Sequence, residues 1–452
     1  MNDRDALMCG VWRAKHDKAL LAASRCLRFG LHSGAIALVW CVSVVSCISG
    51  SDRADANEVQ AGVAQPTFVL PARIPLAGYS RRHGEPSRGV HDAVGVRALV
   101  IQDERTTAAI VSCDLLIIDE QLFDAVHRRL RTEGLPHHLV LLLAATHTHS
   151  GPGAYGTRFL EKISMGHFDQ RVFDALVESI TQTIVRAYAA RRPSRIAYQD
   201  GRAPALVFNR MDLHGTIDDE LIVSAFYPME ADHPLAILVS FSAHPTTLGA
   251  WNTELSADYP GALMNEVERQ FPMSVCLFVA GSVGDQAPAK SDSGFARTER
   301  IGRQLAQETT ALLNSAHPES AETLAATQEV MRLPAARVRL GPHLRLPPWL
   351  GRAFVDDDAT LSVLRVGTTV YFGVPCDLAA DLGHELKTAA LARGLHPMVI
   401  GFTSDYIGYC LSESQYHTGR YEALMAFNGP HTGALIVERL IHMLDQQKLS
   451  SP

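Results

Sequence analysis

The chain has 452 residues, 47% of them hydrophobic and 20% charged, with a formal net charge of −7. That composition is ordinary for a globular protein, and the length supports one large domain or two smaller ones, each with a real core. No dense Lys/Arg stripe lies beyond the N-terminus, so the electrostatics speak against a nucleic-acid partner.

Arg13, Lys15, Lys18, Arg25 and Arg28 precede an apolar stretch from Gly34 to Ile48. A membrane span needs roughly 20 apolar residues, so this stretch suits a signal-peptide core better. It ends in Val44-Val45-Ser46-Cys47, which resembles a bacterial lipoprotein cleavage box. Residues 1–50 are therefore read as an export leader, with Cys47 a candidate for lipid anchoring and an uncleaved signal-anchor helix the alternative. The expected location is extracytoplasmic: periplasmic, secreted or tethered at a membrane surface. Residues 51–65 are polar and alanine-rich and read as a linker. Of the eight cysteines, Cys9, Cys26, Cys41 and Cys47 fall in the leader. Cys113, Cys276, Cys376 and Cys410 are scattered without C-x-x-C spacing, which argues against a disulfide-built fold.

From Phe68 onward short apolar runs alternate with amphipathic ones. Strands are predicted at Ala98–Ile101, Ala108–Cys113, Leu139–Ala144, Leu235–Ser242, Val275–Ala280, Leu361–Val366 and Val370–Val374. Helices are predicted at Glu120–Glu133, Phe168–Arg191, Tyr259–Gln270, Ala296–Ala316, Leu378–Arg393 and Thr432–Gln447. Strands interleaved with helices mean an α/β fold, a mixed β-sheet core with flanking helices. No internal repeat is present. The Arg- and Pro-containing stretch Leu333–Leu350 reads as a surface excursion.

Function in such folds collects where strands end. The apolar run Leu139–Ala144 ends in Thr146-His147-Thr148-His149, followed by the turn signal Ser150-Gly151-Pro152-Gly153. Side chains two apart on an extended segment point the same way, so both imidazoles can face one cavity. A second apolar strand runs into Ala243-His244-Pro245, and the repeated layout makes a shared metal plausible, imidazole being a common zinc ligand. A third strand leads to Asp377, which also fits as the N-cap of the helix that follows. Tyr406, Tyr409, Tyr416 and Tyr421 crowd one later segment, either as amphipathic packing or as a substrate wall.

These residues together carry a resemblance to the catalytic region of the neutral/alkaline ceramidases, zinc amidases that cleave the N-acyl bond of ceramide. Ala145–Gly153 matches the family's histidine motif nearly letter for letter, and Ala243-His244-Pro245 matches its second histidine element. The opening Pro75–Tyr79, Gly89-Val90-His91-Asp92 and Arg97–Val100 are similar to the family's start. Asn209-Arg210 resembles its Asn-Arg-Ser-Pro element, with Met211-Asp212 following instead. Gly284-Asp285-Gln286-Ala287-Pro288 falls on Gly-Asp-Val-Ser-Pro, and Pro375-Cys376-Asp377 on Pro-Gly-Glu. The spacing from Tyr409 to Tyr421 resembles that of its two active-site tyrosines. The resemblance covers residues 66–447, read as one hydrolase domain, without the family's C-terminal immunoglobulin-like domain.

Carried over residue by residue, the resemblance implies a Zn²⁺ site of His147, His244, Asp377 and Tyr409. It implies that His149, Arg210 and Tyr421 contact the reacting group. The implied activity is hydrolysis of an N-acyl amide, ceramide-like or another lipid amide, by metal-activated water. Asp377 is one methylene shorter than the family's glutamate, so its backbone must come closer to keep a metal–oxygen distance of roughly 2.0–2.2 Å. Ala287 stands where the family has a serine, which predicts an altered substrate rather than a lost activity. Two rival readings remain. Ala280-Gly281-Ser282-Val283-Gly284 resembles a nucleophile elbow, which would make the protein a serine hydrolase using Ser282, although Asp285–Ala289 is a poor helix start. The other is a catalytically inactive lipid-binding surface protein of the same fold.

Overall fold

Alternation along the strands separates their side chains between two cores. On Val96–Gln102, Ala98 and Val100 enter one cluster while Leu99 and Ile101 enter another. On Asp358–Val366, Leu364 and Val366 share that second cluster, whereas Leu361 and Val363 enter a third. Successive strand residues point to opposite faces, so each of these strands is covered on both sides. The result is two sheets packed face to face between two outer layers of helices.

The computed structural model describes residues 58–339, 346–347, 351 and 355–449, and Asn57–Pro452 gathers into one compact unit. The expected leader at 1–50, including Cys47, lies outside the described residues. No helix among them is long and apolar enough to cross a membrane.

The larger sheet runs in the order Val275–Ala280, Ala236–Phe241, Glu220–Pro228, Arg192–Arg202, Gln60–Ala64, Val96–Gln102, Thr107–Cys113, Val140–Ala145, with Glu319–Ser320 added beside Arg192–Arg202. It is mixed: Val140–Ala145 lies parallel to Thr107–Cys113 and Val275–Ala280 parallel to Ala236–Phe241, the other pairs being antiparallel. The smaller sheet runs Leu324–Arg332, Asp358–Val366, Thr369–Gly373, His396–Ile400. Helices Glu120–Thr132, Gln170–Ala189, Asp258–Gln270 and Gly294–Asn314 cover the larger sheet, and Ala380–Leu391 with Thr432–Leu449 cover the smaller one. Asp119 starts the first of these by accepting the Leu122 N–H at 2.7 Å, a side-chain N-cap.

All seven predicted strands and six predicted helices are present within a few residues of their expected bounds. One boundary moves. Gln60–Ala64, expected inside the linker, is a strand paired to both Val96–Gln102 and Arg192–Arg202. Gly62 is what lets it lie there, since a Cβ at that position would stand 2.3 Å from the Ala187 carbonyl oxygen. The stretch after Leu333 is also less superficial than expected, because Leu333, Ala336 and Val338 are buried.

The two sheets meet at one end. Gly401 N–H donates to Ala280 O at 2.7 Å and Ser404 N–H to Leu143 O at 2.7 Å, which brings together the carboxyl ends of strands from both sheets. The predicted site residues follow those ends.

Candidate metal centre

His147 sits two residues past Val140–Ala145, but not on an extended segment. Its φ of +64° is left-handed, so the expected strand-like alternation does not carry the two imidazoles to one side. A local reversal does so instead, and an αL conformation at a histidine is a strained choice that surrounding contacts must hold. Phe402 stacks on the His147 ring at 3.8 Å, and Gly78 lets the neighbouring chain close on His149, where a Cβ would stand 2.7 Å from His149 atoms. Buried Arg82 donates to the carbonyls of Ala77, His149 and Gly249 at 2.8, 2.6 and 3.1 Å, tying three loops around that histidine.

His147, His149 and His244 converge, with candidate ligand atoms all within 4.8 Å of one another. His147 Nε2 is 2.9 Å from His244 Nε2 and 3.2 Å from His149 Nε2. The Nδ1 atoms of His147 and His244 face the carbonyls of Leu116 and Val283 at 2.6 and 3.0 Å. A carbonyl only accepts, so each Nδ1 carries the proton and each Nε2 presents a lone pair. Burial drives His147 down to about 3 and His244 and His149 well below the ordinary imidazole value, with Arg210 acting in the same direction. Neutral rings with lone pairs facing each other repel unless a cation lies between them.

Asp377 completes the cluster. It is fully buried, and its Oδ1 lies 3.6 Å from His147 Nε2 and 3.5 Å from His244 Nε2, without a hydrogen-bond partner among the described residues. Its other oxygen accepts the Tyr406 hydroxyl at 2.8 Å. Burial pushes this carboxyl up to about 7, against the hydrogen bonds of Tyr406 and Tyr409 and the charge of Arg210. The N-cap alternative for Asp377 does not hold. The N-cap position of Ala380–Leu391 is Ala379, and the Ala380 N–H is satisfied by Asp285 Oδ1 at 2.9 Å.

Tyr409 lies opposite Asp377 in a short parallel pairing of Asp377–Leu378 with Tyr409–Cys410. Arg210 donates to its hydroxyl at 2.8 Å and to Gly284 O at 2.9 Å, and pairs with Glu422 at 3.1 Å. Tyr421 stands edge-on to the Tyr409 ring at 6.2 Å and is 62% exposed, at the rim of the cluster. All seven residues singled out in the sequence thus occupy one region, six of them in its interior and Tyr421 at its edge.

Three supporting residues escaped the sequence reading as individuals. Tyr406 orients Asp377. Asp285 is a buried hub that also accepts from Asn209, Gln286 and Gln415, each at 2.8 Å. Gly284 allows this loop to press on the Asp377 strand, since a Cβ there would stand 2.7 Å from Asp377 O. Only the glycine-aspartate dipeptide in the family-like element hinted at the last two.

Ser282 does not form a nucleophile elbow. Its hydroxyl is fully buried, lacks a hydrogen-bond partner among the described residues, and packs where a Cβ on Gly383 would be 1.8 Å away. The chain then continues through a turn and the Gln286–Pro288 strand, with the next helix beginning at Gly294. Ala287 is half-buried on that strand, opposite Phe208.

A family model described as neutral/alkaline non-lysosomal ceramidase, N-terminal, matches residues 70–289. The neutral ceramidase of Pseudomonas aeruginosa is 26% identical over 400 residues, which is 82% of this chain and 57% of that protein. Neutral ceramidase A of Dictyostelium discoideum is 28% identical over 207 residues, 42% of this chain and 29% of that one. The chain therefore spans little more than half the length of the Pseudomonas relative. The crystal structure of the Pseudomonas neutral ceramidase shares the fold, with a TM-score of 0.78 at 21% identity over 87% of this chain and 75% of that one.

Proposed function

The chain belongs to the neutral/alkaline, non-lysosomal ceramidase family, and from that premise we propose that it hydrolyses the N-acyl bond of a lipid amide at a Zn²⁺ site. The observation that carries this reading is the convergence of neutral, Nε2-accepting histidines on the unpartnered, buried Oδ1 of Asp377. That donor set, two imidazoles and a carboxylate with a tyrosine hydroxyl alongside, fits Zn²⁺. His147, His244, Asp377 and Tyr409 would hold the ion. Bound there, Zn²⁺ would supply Lewis acidity, polarising the acyl carbonyl and lowering the pKa of a water from about 15.7 toward 7.

The chain's own residues divide the remaining work. Arg210 is half-buried, and although burial opposes its charge, Tyr409, Glu422 and Asp377 keep it protonated. A fixed cation in a dry site stabilises the oxyanion that grows on the acyl oxygen. His149 is neutral and its ring is partly open, so it can take the proton lost by the attacking water and return it to the departing amine nitrogen. Tyr421, at the rim, is suited to contact the amide as it enters.

Ala287 bears on the substrate. A site built to hydrogen-bond a hydroxyl discriminates strongly for it, and a methyl at this position removes such a donor. N-acyl amides with plainer head groups should therefore compete well with ceramide. The test is a panel of ceramide, N-acyl amino acids and short anilides with and without chelator. Turnover of at least one long-chain amide, abolished by chelator and restored by Zn²⁺, is expected. If zinc-loaded protein turns over none of them, the hydrolase reading fails and a lipid-binding protein is what remains.

Tyr406 provides a second test that does not depend on substrate. Groups that hydrogen-bond a ligating carboxylate typically contribute 10–100-fold to metal affinity. Tyr406→Phe should weaken Zn²⁺ binding by about that factor in competitive chelator titrations while leaving thermal unfolding nearly unchanged. Unaltered affinity would remove Asp377 from the ligand set.

A further inference from the structure

The strand that carries Ala287 holds a cation that the chemistry above leaves unused. Gln286–Pro288 runs antiparallel to Val207–Asn209, the strand leading into Arg210, and the Gln286 carbonyl accepts the His244 N–H at 3.4 Å. Carbonyls two residues apart on a strand point the same way, so the Pro288 carbonyl opens on that same edge, about 7 Å further along. Arg297, in the first turn of Gly294–Asn314, donates from Nη2 to the Pro288 carbonyl and from Nε to Ala289 O at 2.7 Å. The next residue, Thr298, shares a hydroxyl–hydroxyl hydrogen bond of 2.6 Å with Thr247, three positions after His244. The guanidinium is thus clamped between the loop of one metal ligand and the strand of Ala287.

Arg297 is half-buried, and burial lowers its pKa, yet it forms no ion pair among the described residues and its Nη1 has no partner among them. The carboxyl groups that bear on it are engaged elsewhere. Asp292 pairs with Arg300, and buried Asp258 accepts the Leu248 and Tyr259 N–H groups at 3.1 and 2.7 Å. The other charge flanking Ala287 is also positive: Lys290 Nζ stands 5.1 Å from the ring centre of Phe208, the residue opposite Ala287. A methyl at 287 offers nothing to a hydroxyl head group, whereas a guanidinium is a planar fork that matches a carboxylate. Building on the hydrolase reading of the metal site, we propose that the substrate is an N-acyl amino acid, whose carboxylate is received by Arg297 beside Ala287. Hydrolysis then adds the hydroxyl of water to the acyl carbon and its remaining hydrogen to the amine nitrogen. The C–N bond breaks, and a fatty acid and a free amino acid leave.

The test compares N-lauroylglycine with its neutral counterpart N-lauroylethanolamine on the zinc-loaded full chain. A charge-assisted hydrogen bond predicts a kcat/KM ratio of at least about 10 in favour of the glycine amide. In Arg297→Gln the ratio should fall to near one, chiefly through KM. Ala287→Asp leaves the main-chain bonds of Arg297 in place but puts a carboxylate beside it, and there the ratio should invert. That second variant keeps the question decidable if Arg297→Gln fails to fold. A wild-type ratio near one overturns the proposal, as does a folded Arg297→Gln or Ala287→Asp that keeps the wild-type ratio. If neither amide is cleaved, the hydrolase reading fails, and the head-group inference is decided by calorimetric binding of the uncleavable N-dodecylsulfonyl analogues of the same two compounds. Tighter binding of the glycine analogue, lost in Arg297→Gln, sustains it, and equal affinities overturn it.

Discussion

His147→Asn is expected to eliminate both metal retention and amide turnover in a protein that remains folded. Asparagine is chosen because position 147 has a φ of +64°, a conformation asparagine tolerates better than most residues. Alanine there would mix a lost ligand with backbone strain. Lewis-acid stabilisation contributes several kcal/mol to the transition state, and each ~1.4 kcal/mol is a factor of ten, so kcat/KM should fall by at least about 10³-fold. Bound zinc, expected at one per chain in the wild type, should drop to the background of a chelated sample. Chelator-treated wild type should show the variant's residual rate, and added Zn²⁺ should rescue the wild type alone. Undiminished turnover in chelator would end the metal reading. A variant that keeps its full metal content would exclude His147 as a ligand.

Much of this site is legible in the amino-acid sequence, for a physical reason. The strands that end at the site, such as Val140–Ala145 and Ala236–Phe241, are covered on both faces and so appear as nearly continuous apolar runs. A histidine just past such a run is conspicuous. Strands of mixed character were missed. Arg192–Arg202 lies inside the larger sheet, yet it contains proline, glycine, aspartate and three arginines, and its burial alternates poorly. Gln60–Ala64 looks like linker because alanine and glycine carry little periodic signal, and small side chains are what its close approach to Ala190 and Arg191 requires. Two face-to-face sheets were also beyond reach, since alternation reveals that both faces are buried but not against what. Within the site, residue types were legible and partnerships were not. His147 and His244 are separated by 97 positions, and only the fold sets their Nε2 atoms 2.9 Å apart. Asp285 reads as a loop aspartate until its four donors are seen to come from four different segments.

Lys387→Met should be among the most destabilising single changes, although position 387 lies outside the metal cluster. The ammonium is buried and donates to Asp218 Oδ1 and Glu220 Oε2, each at 2.7 Å. Asp218 is buried too, and its other oxygen accepts the Ser242 hydroxyl at 2.8 Å. Burial by itself would raise the Asp218 carboxyl. The Lys387 charge, aided by hydrogen bonds from His384, Lys387 and Ser242, more than offsets this and holds it at about 2. Removing the cation strands a carboxylate in the interior, a change that typically costs about 3–5 kcal/mol. Replacing both partners, Lys387→Met/Asp218→Asn, removes the uncompensated charge and should recover most of that loss.

The pH dependence has a definite sign. With a folded value near 2 and an unfolded value near 3.9, Asp218 favours the native state above the unfolded value, and that contribution disappears as pH falls through about 2. In Lys387→Met the carboxyl is raised instead, so the variant's deficit should shrink between neutral pH and pH 4. Urea unfolding of the three proteins at both pH values measures each term, and a double variant no more stable than the single one would refute the ion-pair account. Ser242, which also accepts the Ser282 N–H at 2.9 Å, lies two residues before His244. The pair therefore braces the strand end that carries a metal ligand, and Lys387→Met should release Zn²⁺ at lower urea than the wild type does.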